Sequence, residues 1–279
     1  MIKTDQIGIA SWGMRELEIE KQLVLSNKLG AHYFELGIAN AQSDIPLSAG
    51  PEELASVKIL FKKHHTNLYL AATGNDFTLS GESQIHEEIE KVKGVIAICA
   101  ALQVKYLRVF AGFTSAEMMT EIRFARMIEA FRNVSSYADQ LGVILAVETH
   151  GGVKERNLGI EHFHSVSTRL DLLTRLLKEV PSNVQFVLDP ANLWAVGVSD
   201  PEIYYRLLKG RIAYIHLKDF ITIPSGAVMP SSCGTSNLDW HKFIREISDF
   251  TGPLLIEYET PRNIERGTRD SIRFIESLL

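Results

Sequence analysis

Residues 184–192 read Val-Gln-Phe-Val-Leu-Asp-Pro-Ala-Asn, a short and mostly apolar run followed at once by a carboxylate. A run that is apolar on consecutive positions is typical of a strand buried on both faces, as in a parallel sheet. The same pattern recurs along the whole chain. The eight apolar runs cover residues 7–10, 33–36, 68–72, 106–110, 144–147, 184–188, 213–217 and 254–256.

The stretches between these runs have helical spacing. Trp240, Phe243, Ile244 and Ile247 repeat at the interval of one helix face, and residues 124–138 do the same over a longer stretch. Eight strands that alternate with about eight helices predict a (β/α)₈ TIM barrel, here a single domain over residues 1–279. An open, doubly wound sheet is the rival fold. It usually has a glycine-rich first turn, and residues 11–14 (Ser-Trp-Gly-Met) lack one.

The composition limits the range of partners. The chain has 279 residues, 46% hydrophobic and 23% charged, with a net charge of −5. There is no basic surplus for a phosphate backbone, so we expect no nucleic-acid partner. The two cysteines suit a reducing compartment, and no targeting segment or membrane-length apolar run is visible. The sequence therefore predicts a cytoplasmic protein with no membrane partner.

Four of the predicted strands end in residues that bind metals. In a TIM barrel the carboxyl ends of the strands face the active site, and here the last four strands lead into Glu148, Asp189, His216 and Glu257. Unpaired charges directly after buried strands are costly. One divalent cation, such as Mn²⁺, Zn²⁺, Co²⁺ or Mg²⁺, would offset that cost and leave positions open for a substrate. Each residue taken singly could instead be a helix cap or an ion-pair partner.

Further polar residues near the strand ends are candidates for substrate binding. Arg108, after the fourth strand, is expected either to bind a substrate oxygen or to form an ion pair with a carboxylate such as Glu148. His150 either lines the pocket or bonds to loop backbone. Lys218 contacts the substrate or holds Glu257, and Glu35 binds the substrate or orients a metal ligand.

The local motifs extend this interpretation. Residues 148–152 read Glu-Thr-His-Gly-Gly, residues 189–192 Asp-Pro-Ala-Asn, and residues 216–219 His-Leu-Lys-Asp, followed by the late Glu257. Over essentially the whole chain these motifs resemble the xylose isomerase-like TIM barrel family, which includes sugar and sugar-phosphate isomerases and epimerases (the AP endonuclease 2 superfamily). The resemblance implies that Glu148, Asp189, His216 and Glu257 bind one metal ion. It further implies that Glu148 and Glu257 are the acid–base pair.

Two positions depart from the family pattern. Asn192, which we also assign to substrate binding, stands where many free-sugar epimerases and several dehydratases of the family have histidine, and it cannot shuttle a proton. The Asp-x-x-Asn-Leu form of residues 189–193 looks more like the pentulose-phosphate 3-epimerase branch, without settling the substrate. Residues 234–237, Gly-Thr-Ser-Asn, replace a frequent Gly-x-Gly, so a phosphate site there is in doubt and a flexible polar loop is the plainer expectation. The histidines at positions 64, 65, 162 and 164 are predicted to fall in helix or loop stretches, away from the strand ends.

The resemblance implies an isomerase or epimerase that acts on a small keto-sugar, polyol or sugar phosphate through an enediolate. A dehydroshikimate or inosose dehydratase is the main rival, because dehydration begins with the same proton abstraction, and residues 108–112 and 148–150 resemble the dehydroshikimate enzymes. A non-catalytic sugar-binding barrel is a weaker candidate. An endonuclease IV-type repair enzyme is weaker still, because it would need more histidine ligands. The resemblance is also compatible with a homo-oligomer.

Overall fold

The structure, a computed structural model, describes residues 2–42, 44–156 and 158–279. In chain order its strands are β1 (Ile7–Ala10), β2 (Tyr33–Gly37), β3 (Leu70–Ala72), β4 (Tyr106–Val109), β5 (Ile144–Glu148), β6 (Gly152–Arg156), β7 (Gly159–Phe163), β8 (Gln185–Leu188), β9 (Ile212–Leu217), β10 (Asp219–Thr222), β11 (Val228–Ser231) and β12 (Leu254–Ile256). Its helices are α1 (Ile19–Lys28), α2 (Pro51–Lys63), α3 (Glu82–Leu102), α4 (Glu121–Gln140), α5 (Leu170–Glu179), α6 (Pro190–Ala195), α7 (Glu202–Leu208), α8 (Trp240–Glu246) and α9 (Ile264–Glu276).

Eight of the strands form a closed parallel barrel, which confirms the predicted fold. Their order around the barrel is β1, β2, β3, β4, β5, β8, β9 and β12, and β12 pairs with β1. The doubly wound sheet is therefore wrong for this chain, because the sheet closes on itself. Each barrel strand overlaps one of the eight apolar runs, and the bounds differ by at most two residues.

The barrel interior is filled with side chains. Alternate residues of each strand point inward, and the interior cluster includes Leu70, Ala146, Val187, Tyr214 and Leu255. The outward-facing strand residues pack against the helices in a larger cluster. The inner packing fills the barrel, and the cavity that contains the polar strand-end residues lies at the carboxyl-terminal mouth.

A second, four-stranded antiparallel sheet was not predicted from the sequence. Its order is β10, β11, β7 and β6, and we call these four strands the cover sheet. The β6–β7 hairpin follows β5 and its metal-site residue, and β10 follows directly from β9. One expectation is thereby corrected: His162 lies in strand β7 rather than in a helix or a loop.

The described residues contain no helix that is both long and apolar enough to cross a membrane.

Candidate active site

The four predicted metal ligands meet at the mouth of the barrel. Glu148 is the last residue of β5, His216 lies near the end of β9, and Asp189 and Glu257 directly follow β8 and β12. One ligand atom from each lies within 4.8 Å of those of the other three, and all four side chains are buried. Parallel strands in register bring their ends to one edge, which is why residues so distant in sequence converge.

Two atoms of this cluster lack a hydrogen-bond partner in the described part of the chain. They are Nδ1 of His216 and Oδ2 of Asp189, both inaccessible to solvent. The nearest carboxylate oxygens to Nδ1, on Glu148 and Glu257, are 3.5 Å away. Buried polar atoms are normally paired. Oδ2 of Asp189 has the ammonium of Lys218 as an ion-pair partner 3.2 Å away, so Nδ1 of His216 is the atom that most needs an explanation. A divalent cation held by one nitrogen and three carboxylates would supply it, and the residues present fit such an ion.

Glu35 lies beneath this cluster rather than in the cavity lining. Its Oε1 is 3.3 Å from Nε2 of His216 and accepts a hydrogen bond from the hydroxyl of Tyr214. Because a carboxylate only accepts, this contact places the ring proton on Nε2 and leaves Nδ1 for a metal. Of the two roles expected for Glu35, the contacts support orientation of a metal ligand.

The ammonium group of Lys218 lies among three carboxylates at the barrel mouth. Its Nζ is 2.7 Å from Glu257 and 2.8 Å from Glu259, and it lies 3.2 Å from Oδ2 of Asp189. Tyr214, His216 and Lys218 alternate along the chain, so all three project to the same face. The sequence prediction missed Glu259. Glu259 stands two positions after Glu257, so both side chains project to the same face. This spacing was the only sequence signal for Glu259.

Arg108 and Asn192 hold Glu148 from two directions. Nε of Arg108 is 3.3 Å from one oxygen of Glu148, and an Arg108 NH group donates to the carbonyl of Thr73. Nδ2 of Asn192 donates to the other oxygen at 3.1 Å. Arg108 thus forms the expected ion pair and also lines the cavity. Asn192 is buried outside the lining and acts as an amide donor where a neutral histidine would do the same.

The surrounding charges set the ionisation of the carboxylates. Burial raises the pKa of Glu148, but the positive charges of Arg108, His216 and Lys218 outweigh this effect and lower the pKa to about 2. Burial dominates at Asp189 and raises its pKa to about 7, against the attraction of Lys218. Glu148 is therefore ionised at neutral pH, as both a metal ligand and a base require.

His216 carries a proton that a metal ion must displace. Burial lowers the pKa of its imidazole, but the carboxylates of Glu35, Glu257 and Glu148 outweigh burial and hold the pKa well above its ordinary value. In the metal-free protein this proton offsets part of the negative charge of the cluster. Metal binding must release it, because a histidine ligand is neutral.

A cavity of about 480 Å³ opens above the cluster, a size typical of small-molecule sites. Arg108, Glu148, Lys218 and Glu257 form its polar floor. His150 also lines it, with Nδ1 bonded to the carbonyl of Gly151, so both roles considered for this histidine are compatible with its position. The apolar part of the wall includes Trp12, Phe110, Phe113, Val153 and Ile160.

The loop of residues 234–237, where the sequence left a phosphate site in doubt, is held in place by the carboxylate of Asp219. Oδ2 of Asp219 accepts hydrogen bonds from the backbone N–H groups of Gly234, Thr235 and Ser236 at 2.9, 3.1 and 3.2 Å. Nε1 of Trp240 donates to the same oxygen. The loop is thus tied to the start of β10, which corrects the expectation of a flexible loop.

Comparisons with known proteins agree with this fold. The family model described as xylose isomerase-like TIM barrel matches residues 23–278, and the chain belongs to this family. The comparison with curated protein sequences gave no match.

Solved structures show the same fold at low identity. The probable 3-DHS dehydratase AsbF of Bacillus anthracis has a TM-score of 0.76 at 15% identity, over 96% of this chain and 97% of its own. A D-allulose 3-epimerase from Methylomonas sp. has a TM-score of 0.72 at 15% identity, over 98% and 97%. The IOLI protein, solved with a bound zinc atom, has a TM-score of 0.73 at 18% identity, over 98% and 95%.

Proposed function

We propose that the protein is a divalent-metal-dependent isomerase or epimerase of a small keto-sugar, polyol or sugar phosphate. The observation that carries this proposal is the placement of two carboxylates on either side of His216. Glu148 and Glu257 come from strands that are separated by β8 and β9, both line the cavity, and both lie 3.5 Å from the same imidazole nitrogen. Moving a proton from one face of a carbon to the other requires two such groups.

The protein side chains would divide the work as follows. Glu148, Asp189, His216 and Glu257 would hold the metal ion, which supplies Lewis-acid stabilisation of the negative charge that develops on the substrate oxygens. Glu257 is the proposed base. Burial raises its pKa, but the charges of Lys218, His216 and Arg108 hold the pKa well below its ordinary value. Glu148 is the proposed partner on the other side. Because Glu148 is itself ionised, it must first take up a proton from solvent before it can return one to the carbon, while Glu257 gives the abstracted proton up to solvent.

A lyase of the dehydratase type is the second candidate. Arg108 and His150 line the cavity beside Glu148, and their sequence contexts resemble dehydroshikimate enzymes. The fold neighbours include a protein described as a probable 3-DHS dehydratase as well as an epimerase. Both reactions begin with the abstraction of a proton next to a carbonyl, so only the products separate them.

Solvent exchange tests the proposal and separates the two candidates. The metal-loaded protein is incubated in D₂O with ketopentoses, ketohexoses, their phosphates, inosose and dehydroshikimate, and the products are followed by NMR. We expect deuterium at the carbon next to the carbonyl, an isomeric product, loss of exchange on chelation and recovery when the metal returns. Loss of water with formation of a double bond would instead establish a lyase. No exchange and no turnover with Mn²⁺, Zn²⁺, Co²⁺ or Mg²⁺ would overturn both candidates.

A further inference from the structure

One histidine in the cavity has no role in the proposed reaction. His162 is carried on β7 of the cover sheet and lines the same cavity as Glu148 and Glu257. Both of its ring nitrogens are inaccessible to solvent, and neither has a hydrogen-bond partner among the described residues. Leaving a buried polar group unpaired is costly, because the group loses its hydrogen bonds to water and gains none in return. A ligand in the cavity that pairs with this imidazole would remove that cost.

The surroundings of His162 keep its imidazole uncharged. The ring centroid is 5.1 Å from that of Phe220 and 6.5 Å from that of His150, which in turn packs edge-on against Phe110. Burial in this aromatic group lowers the pKa of His162 to about 3, and the nearby His150 and Lys218 lower it in the same direction. A neutral imidazole offers one donor and one acceptor. A hydroxyl group, which both donates and accepts, matches such an imidazole. An anion would find no positive charge on it.

The charged residues of the cavity do not favour an anion either. Each cation in its lining faces a carboxylate: Arg108 lies 3.3 Å from Glu148, Lys218 2.7 Å from Glu257, and Lys91 4.0 Å from Glu88. Five carboxylates line the cavity, and Asp189 lies with them in the metal cluster. These six carboxylates outnumber the three cations, so even a bound divalent ion leaves no excess of positive charge.

The backbone N–H groups of the loop after β11 are also engaged. The three amides of residues 234–236 donate to the carboxylate of Asp219, and the side chain of Trp240 donates to the same oxygen. Such convergent amides form an anion site when they are free. Here the protein fills that site with its own carboxylate, so a substrate phosphate cannot use it.

We propose that His162 is a specificity-determining residue that hydrogen-bonds a substrate hydroxyl, and that the cavity selects uncharged polyhydroxylated substrates over phosphorylated or carboxylated ones. This inference rests on the proposed function, since it takes the cavity above Glu148 and Glu257 as the substrate site. It narrows the substrate class from sugars and sugar phosphates to the uncharged members.

Calorimetric binding to the metal-loaded full-length chain tests this inference. The probes are D-xylulose, D-fructose and an inosose, the 5-phosphate and 6-phosphate of the two sugars, and dehydroshikimate. We expect at least one uncharged compound to bind, about tenfold or more tightly than its phosphate and than dehydroshikimate. His162→Phe should weaken its binding about tenfold to a hundredfold, the cost of a buried unpaired group.

Two variants separate a hydrogen bond from a packing effect. His162→Gln keeps an uncharged donor and acceptor and should retain most of the affinity that the phenylalanine variant loses. His164→Phe changes a half-buried imidazole of the same segment that does not line the cavity, and it should bind like the wild type. Thermal unfolding checks that all three variants fold.

Each result decides between the two proposals. Tighter binding of a phosphate or of dehydroshikimate, wild-type affinity in His162→Phe, or binding of no compound would overturn the inference. If phosphorylated or carboxylated compounds are turned over best, the proposed reaction class survives and the inference fails. If uncharged compounds bind through His162 but show no solvent exchange, the inference stands as a binding specificity and the proposed reaction fails.

Discussion

The metal cluster and the cover sheet contribute to the same cavity but are built in different ways. Glu148, Asp189, His216 and Glu257 are all at most 3% exposed and stand on parallel strands that have a barrel neighbour on each side. The cover sheet is antiparallel, and four of the five residues of its strand β6 are exposed. Among the described residues, its two hairpins (β6–β7 and β10–β11) pair with each other at one position, Val228 with Ile160.

This difference separates chemistry from recognition. Ligand atoms have to be held within a few tenths of an ångström, and a closed barrel packed on both faces provides that rigidity. The cover sheet lies in the connections that follow β5 and β9, and such connections generally tolerate changes in length and sequence better than the elements they join. We therefore expect substitutions in the metal cluster to affect catalysis and metal binding, and substitutions in the cover sheet to affect which substrate is bound.

The largest effect is expected for Glu257→Gln. The change preserves shape and removes the proposed base, so kcat should fall by about 10²–10⁴, the usual contribution of general acid–base catalysis. The measurement is kcat at saturating metal on the substrate identified by solvent exchange, with circular dichroism as the folding control. Wild-type turnover would remove Glu257 from the mechanism.

His216→Ala should abolish stable metal binding. It removes the only nitrogen ligand of the cluster, and elemental analysis should show occupancy falling from about one ion per chain to a small fraction. Glu35→Gln changes the residue behind His216, and we expect it to weaken metal affinity about 10–100-fold, as is typical for a residue that orients a metal ligand. Unchanged occupancy in His216→Ala would contradict the ligand set.

Metal affinity should rise with pH. His216 holds a proton in the metal-free protein, because its pKa is raised by Glu35, Glu257 and Glu148 against the effect of burial. Below that pKa, binding must release the proton of His216, and below about pH 7 it must also release one from Asp189, whose pKa burial raises to about 7. The apparent affinity should fall by up to about tenfold per proton released for each unit that the pH is lowered. Titrations in two buffers of different ionisation enthalpy would count the protons released. A flat profile between about pH 6 and 8, where an ordinary histidine titrates, would show that His216 binds no proton in the apo state.

The smallest effect is expected on the outer edge of the cover sheet. Arg156→Ala breaks an exposed ion pair with Glu161 and should change the free energy of unfolding by less than about 0.5 kcal/mol. The matched barrel variant is Phe186→Ala in β8, whose side chain is fully buried, and it should cost about 3–5 kcal/mol. Comparable losses in urea unfolding of the two variants would mean that the cover sheet is an integral part of the core.

The barrel could be predicted because its strands have a strong local signature. A strand covered on both faces must be apolar at consecutive positions, and each of the eight runs marked one. The cover strands carry no such signal. Strand β6 reads Gly-Val-Lys-Glu-Arg, and β7 reads Gly-Ile-Glu-His-Phe, sequences equally compatible with a loop. Only their pairing with each other, and of β7 with β11, makes them a sheet.

The order of residues along the chain was enough to specify the barrel and the four residues that could bind a metal, because burial patterns and strand ends are local properties. The way these residues are held depends on the folded molecule. Glu35 and His216 are 181 positions apart, and the contact between them sets which nitrogen is free. Folding also brings the carboxylate of Asp219 to the backbone N–H groups of residues 234–236, and it brings His162 into the cavity. Such contacts depend on distances between strands, which no local pattern encodes.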